Sequence, residues 1–153
     1  MAVRRARRVA VPPDAPVGEE MADADYGWAF ELDTCGTRRT AEQWARSVFE
    51  DAPAVMRGAL RMGWRWGLGL RMRTAPDHVL GWRIVEQGPD VVVLESHSPI
   101  LLARNIVMTS RSTVSWSTLV RFDRRIARPI WAAVEPFHHL TIPYLLGRAD
   151  RET

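Results

Sequence analysis

One long apolar run near the end of the chain, Ile126 to Leu146 (IARPIWAAVEPFHHLTIPYLL), follows directly on four short strand-like runs, and that order confines the fold more than any other feature. Arg128-Pro129 marks a helix start, because proline is tolerated in a first turn where its missing N–H is not needed, and Gly147 marks a stop. The spacing predicts a helix from Pro129 to Leu146, roughly 25 Å long. Trp131, Val134, Phe137, His138, Ile142 and Leu145 recur every three or four positions and form one broad apolar stripe. Pro136 and Pro143 fall inside the pattern, so the helix is expected to bend and to curl over a curved sheet.

The four runs before it read as an antiparallel meander over 79–122. Leu80 to Gln87, Val91 to His97, Ile100 to Thr109 and Ser112 to Phe122 are strands, separated by turns at Gly88-Pro89-Asp90, Ser98-Pro99 and Ser110-Arg111. A two-residue turn at Ser110-Arg111 sets Thr109 opposite Ser112, Val107 opposite Val114, Asn105 opposite Trp116 and Ala103 opposite Thr118. Val114, Trp116, Val120 and Phe122 mark the inner face, and the register adds Leu101, Ser96, Leu94 and Val92, joined by Trp82 and Ile84. Two polar residues, Asn105 and Thr118, therefore face inward, where an amide without a partner costs about 1 to 3 kcal/mol.

Upstream, Tyr26, Trp28, Phe30 and Leu32 alternate with small or polar residues as in a half-buried strand. Thr34 to Arg39 is a polar loop, and Thr40 with Gln43 fits a capping box for a helix that runs to Glu50 and buries Trp44, Val48 and Phe49. Asp51 is the expected cap of a second helix with Pro53 in its first turn. From Ala52 to Ala75 there are five arginines and no acid, interleaved with methionines, leucines, Trp64 and Trp66 and weakened as a helix by four glycines. The simple reading is a core helix with a solvated arginine face. The functional reading is a lid or interface built on Arg61, Trp64, Arg65 and Trp66, suited to a carboxylate ligand or an anionic membrane surface.

The 153 residues suffice for one domain, expected over 26–148 between a disordered, self-neutralising tail of residues 1–25 and a short tail of 149–153. All 21 cationic residues are arginine, which excludes lysine Schiff-base chemistry and agrees with a GC-rich genome. A net charge of +3 does not call for a nucleic-acid partner. The single cysteine, Cys35, makes no internal disulfide, so a cytoplasmic setting is expected. Neither a secretory signal nor a membrane-spanning run is read. No metal-binding, phosphate-loop or nucleophile-elbow spacing occurs, so no metal or cofactor is expected.

The order strand, two helices, four-stranded meander and long C-terminal helix resembles a shortened helix-grip fold of the START and polyketide-cyclase superfamily (SRPBCC). More narrowly, Trp44 to Pro53 (WARSVFEDAP), the run to Gly69-Leu70, and Pro136-Phe137-His138 resemble a bacterial family of that superfamily known only as a domain of unknown function. The resemblance covers residues 25–148. It implies an α+β helix-grip fold, with an antiparallel sheet wrapped around the C-terminal helix and an apolar cavity between them; about five or more strands are expected here, fewer than the larger members have, with two short helices after the first strand. It also implies a small hydrophobic or aromatic ligand, and it brings no catalytic residues.

The function expected is binding of such a ligand, as carrier, sensor or accessory protein, in a pocket lined by Trp82, Leu94, Asn105, Trp116, Thr118, Trp131 and His138, with Asn105 as the polar anchor. The alternatives are a metal-free cyclase, dehydratase or isomerase-like enzyme using Glu135 and His138 as acid and base, and a peripheral membrane or protein-interaction module acting through 56–73. Glu135 and His138 are three apart on one helix face, which also suits a surface ion pair or a satisfied core histidine.

Overall fold

The computed structural model describes residues 5–34 and 39–151. In chain order the elements are β1 (Arg7–Val9), β2 (Tyr26–Asp33), α1 (Ala41–Phe49), α2 (Ala54–Met62), β3 (His78–Val79), β4 (Trp82–Gln87), β5 (Val91–His97), β6 (Leu101–Thr109), β7 (Thr113–Phe122) and α3 (Ala127–Arg151). The strands form one antiparallel sheet in the order β1-β2-β7-β6-β5-β4-β3. The expected α+β class, meander and C-terminal helix are all present, and the sheet, expected to hold about five or more strands, has seven among the described residues. The additional pair, β1 and β3, are three and two residues long and occupy the two edges. Strands that short leave no alternation to detect.

Turn chemistry fixes the registers. Leu80 and Gly81, with φ of 46° and 95°, form the tight turn between Val79 and Trp82, so the strand expected from Leu80 begins at Trp82. At the last hairpin Ser110 N–H donates to the Thr113 carbonyl, while Ser110 Oγ accepts from Thr113 N–H at 3.1 Å. The turn is therefore Arg111-Ser112, one residue later than expected. Asn105 lies opposite Thr118, and Val107 opposite Trp116. This corrects the pairing by two residues, and because side chains alternate with a period of two the inner face is unchanged.

All three helices lie on that face. Thr40 and Gln43 form the expected capping box on α1, whose Ala41, Trp44, Ala45, Val48 and Phe49 are buried. The expected Asp51 cap on α2 is not made: Pro53 occupies the cap position, and the exposed Asp51 offers only its carbonyl, to Arg148. The third helix outruns its expected bounds at both ends. Gly147 does not stop it, because Leu145, Leu146, Gly147 and Ala149 are buried and its last turns pack beside α1. Arg39 secures that end by donating to the Ala149 carbonyl at 2.9 Å while its guanidinium lies 3.8 Å over the Trp44 ring.

The expectation of a disordered residue 1–25 tail is corrected for residues 5–25; residues 1–4, like Cys35 and most of the 34–39 loop, lie outside the described residues. Strand β1 extends the sheet, and Ala15 and Met21 join Val93, Leu102, Ile106 and Leu119 in a second apolar cluster on the outer face. Arg104, 7% exposed, holds this strap down by donating to the Val17 carbonyl at 2.6 Å, to Glu20 at 2.8 Å and to Glu95 on the neighbouring strand. Burial of a guanidinium is tolerated here because carboxylates and a carbonyl replace its water. Those partners hold its pKa above the ordinary value against the opposing effect of burial.

Candidate ligand-binding site

Helix α3 is buried at its two ends, at Ala127 and Trp131 and again from Ile142 onward, but not in its middle turns. There a cavity of about 430 Å³ opens between helix and sheet. Its floor is Trp82 from β4, Ala103 and Asn105 from β6, and Thr118 and Val120 from β7. One wall is Trp131, Val134, Phe137 and His138 of α3, and the roof is Met56, Leu60 and Trp64 of α2 and the π-helical turn that continues it (Gly63–Gly67). Trp64 stands edge-on to Phe49 at 4.9 Å and to Trp82 at 5.5 Å. No residue of α2 is fully buried, so the roof is the least anchored part of the wall.

Five of the seven expected pocket residues, Trp82, Asn105, Thr118, Trp131 and His138, are brought together on this wall. Leu94 and Trp116 are not: both are fully buried, because α1 lies over β5 and β6 and Phe49 meets the Trp116 ring edge-on at 4.8 Å. Of the four lid residues only Trp64 turns to the cavity, whereas Arg61, Arg65 and Trp66 are exposed. Sequence reasoning missed Met56, Leu60, Val134 and Phe137 as wall residues. Met56, Leu60 and Trp64 recur every four positions, a signal that core packing gives equally well.

Asn105 is anchored by hydrogen bonds within the sheet. Its Oδ1 accepts from Trp116 Nε1 at 3.1 Å and from Thr118 Oγ1 at 2.6 Å. An indole nitrogen only donates, so the amide orientation is fixed and Nδ2 is left without a partner among the described residues. The indole N–H groups of two wall residues, Trp82 and Trp131, are also buried without partners. Among the described residues no Asp, Glu or Arg lines the cavity. The site is thus apolar with spare hydrogen-bond donors and no fixed charge. Replacing Asn105 by leucine would strand the buried Trp116 N–H, and should lower stability in urea unfolding by about 1 to 3 kcal/mol.

His138 is ringed by Tyr26, Phe30 and Trp131 at 5.7 to 6.2 Å between centroids. Burial, reinforced by His139, pushes its pKa down to about 3, so the imidazole is neutral near pH 7. The expected Glu135–His138 pair is not formed. Glu135 lies 3.5 Å from His139 Nε2, and that same nitrogen is 2.7 Å from the Tyr26 hydroxyl. Arg8 can only donate to His139 Nδ1, at 3.3 Å, which puts the ring proton on Nε2. Burial first, and Glu135 second, raise the Tyr26 pKa, so the phenol stays neutral. This cluster ties β1 and β2 to α3 beside the cavity without lining it.

A pH dependence follows from His138. The unfolded ring takes up its proton near pH 6.5 and the folded one only near 3, so its contribution to stability is complete above 6.5 and is lost as the pH falls through that window. Between pH 7 and 5 the loss should reach about 2 kcal/mol, less where water enters the cavity beside the ring. Urea unfolding at both pH values checks this, and a His138→Phe variant should show a correspondingly flatter dependence.

Among the described residues no three His, Cys, Asp or Glu side chains gather as a metal site, and no helix is long and apolar enough to cross a membrane. A family model described as Protein of unknown function (DUF2867) matches residues 21–145. Comparison with curated proteins and with solved structures finds no match.

Proposed function

We propose that the chain, which belongs to the DUF2867 family, is a carrier or sensor that binds a small apolar or aromatic molecule bearing a hydrogen-bond acceptor. The ligand sits between the sheet and the middle of α3, in a cytoplasmic bacterial protein of START-like ancestry. The observation that carries this reading is the cavity wall: about 430 Å³ of apolar space, within the range of small-molecule sites, with buried unpartnered indole donors on Trp82 and Trp131, the Asn105 amide beside them, and among the described residues no Asp, Glu or Arg. A carbonyl or ether oxygen would satisfy such donors, whereas a carboxylate would find no cation on the wall to offset its desolvation. The cyclase or isomerase alternative asks for two titratable groups beside the ligand. Among the described residues His138 is the single titratable wall residue, and its low pKa makes it a poor base near pH 7.

The test is a titration with an uncharged naphthyl ketone whose emission shifts to the blue in apolar surroundings. The expected result is saturable one-to-one binding with a blue shift and quenching of tryptophan emission. An unshifted probe emission up to the solubility limit would overturn the reading.

A further inference from the structure

Two exposed apolar stripes flank the mouth of the cavity. On α2 and its π-helical turn, Val55, Met62 and Trp66 are 85%, 64% and 76% exposed and, with Ala59 between them, follow helical spacing. On α3, Phe137, Leu140 and Tyr144 are 72%, 75% and 48% exposed and are spaced by three and four. Ala59, Gly63, Gly67 and Phe137 are exposed and also line the cavity, so the opening lies between the stripes. Scattered surface apolar residues need no explanation, but two aligned rows around one opening do.

Charge decides what covers them. The exposed Arg61 and Arg65 flank the α2 stripe, the segment 52–75 holds no acid, and the one acid of α3 before Asp150, Glu135, is turned to His139. A second copy of the chain docked through the same patch would oppose arginine to arginine with no acid between them. From this charge pattern and the two stripes we infer that this face docks on an anionic lipid bilayer, with tryptophan, methionine and leucine entering the interface and the arginines reaching lipid phosphates. The cavity then opens toward the lipid, where an apolar ligand would enter or leave. Docking stands on the surface alone, and its link to ligand transfer rests on the binding reading above.

The experiment is sedimentation of the full chain with vesicles of phosphatidylcholine alone or mixed with phosphatidylglycerol. The expected result is pelleting with the mixed vesicles only, reduced by salt and weakened about fivefold by each of Arg61→Gln and Arg65→Gln. A Met62→Ser, Trp66→Ser, Leu140→Ser triple variant should lose about tenfold or more in vesicle affinity. None of these residues lines the cavity, so ketone binding without vesicles should persist in every variant, showing that each is folded. Because that titration needs no lipid, a failure of the binding reading is separated from a failure of docking. Absence of pelleting with mixed vesicles, or pelleting unchanged in the triple variant, would overturn the inference. So would a dimer in light scattering that the triple variant makes monomeric, since it would assign the face to a second copy.

Discussion

Replacing Ala103 by phenylalanine will leave the protein folded and lower its affinity for the ketone probe by about a hundredfold or more, some 2.7 kcal/mol. Ala103 is 2% exposed and sits on the cavity floor opposite α3. A ring added there enters empty space, so the usual cost of overpacking, about 1 to 3 kcal/mol, is avoided and the ring gains apolar burial. The same added bulk at Ile106, which is fully buried on the outer face of the same strand, meets the packed side chains of the strap cluster. Ile106→Phe should therefore lower stability by about 1 to 3 kcal/mol and leave probe binding by the folded protein intact. Thermal unfolding and probe titration on the two variants read both outcomes.

Arg104→Met will destabilise the protein by about 3 kcal/mol, the low end for a broken buried ion pair, because Glu20 keeps access to water while Glu95 is largely covered. The Val17 carbonyl also loses its partner, so the strap of residues 11–24 should lose hydrogen-exchange protection well beyond the average of the sheet. Adding Glu95→Gln to Arg104→Met should recover part of the loss, since it removes the stranded charge. A strap that keeps its protection in Arg104→Met would show that the apolar cluster alone holds it.

The inner face was legible because alternation survives errors of register. The last hairpin turns one residue later than its sequence suggests, which shifts the pairing by two and leaves Asn105, Trp116 and Thr118 on the same side. What alternation cannot separate is core from cavity wall: Leu94 and Asn105 are neighbours on one face, and only the overhang of α1, a tertiary feature, decides which of them a ligand can reach. The helix histidines show a similar limit. Glu135 can meet a partner three or four residues on, and it pairs with His139 and not His138 because the Tyr26 hydroxyl and Arg8 already fix the His139 ring. The strap was illegible for a different reason. Val11, Ala15, Val17 and Met21 follow no period among prolines and charges, and their anchor, Arg104, lies more than eighty residues away in the chain.

Trp82 and Trp131 hold unused donors on the cavity wall. The most direct test is to follow the indole N–H resonances of the seven tryptophans by ¹H–¹⁵N NMR as the ketone is added. If a ligand binds there, the Trp82 and Trp131 signals should move most, the Trp64 signal should move by ring contact, and the signals of the exposed Trp28 and Trp66 should stay in place. Shifts confined to Trp28 or Trp66, or none at saturating ketone, would contradict it.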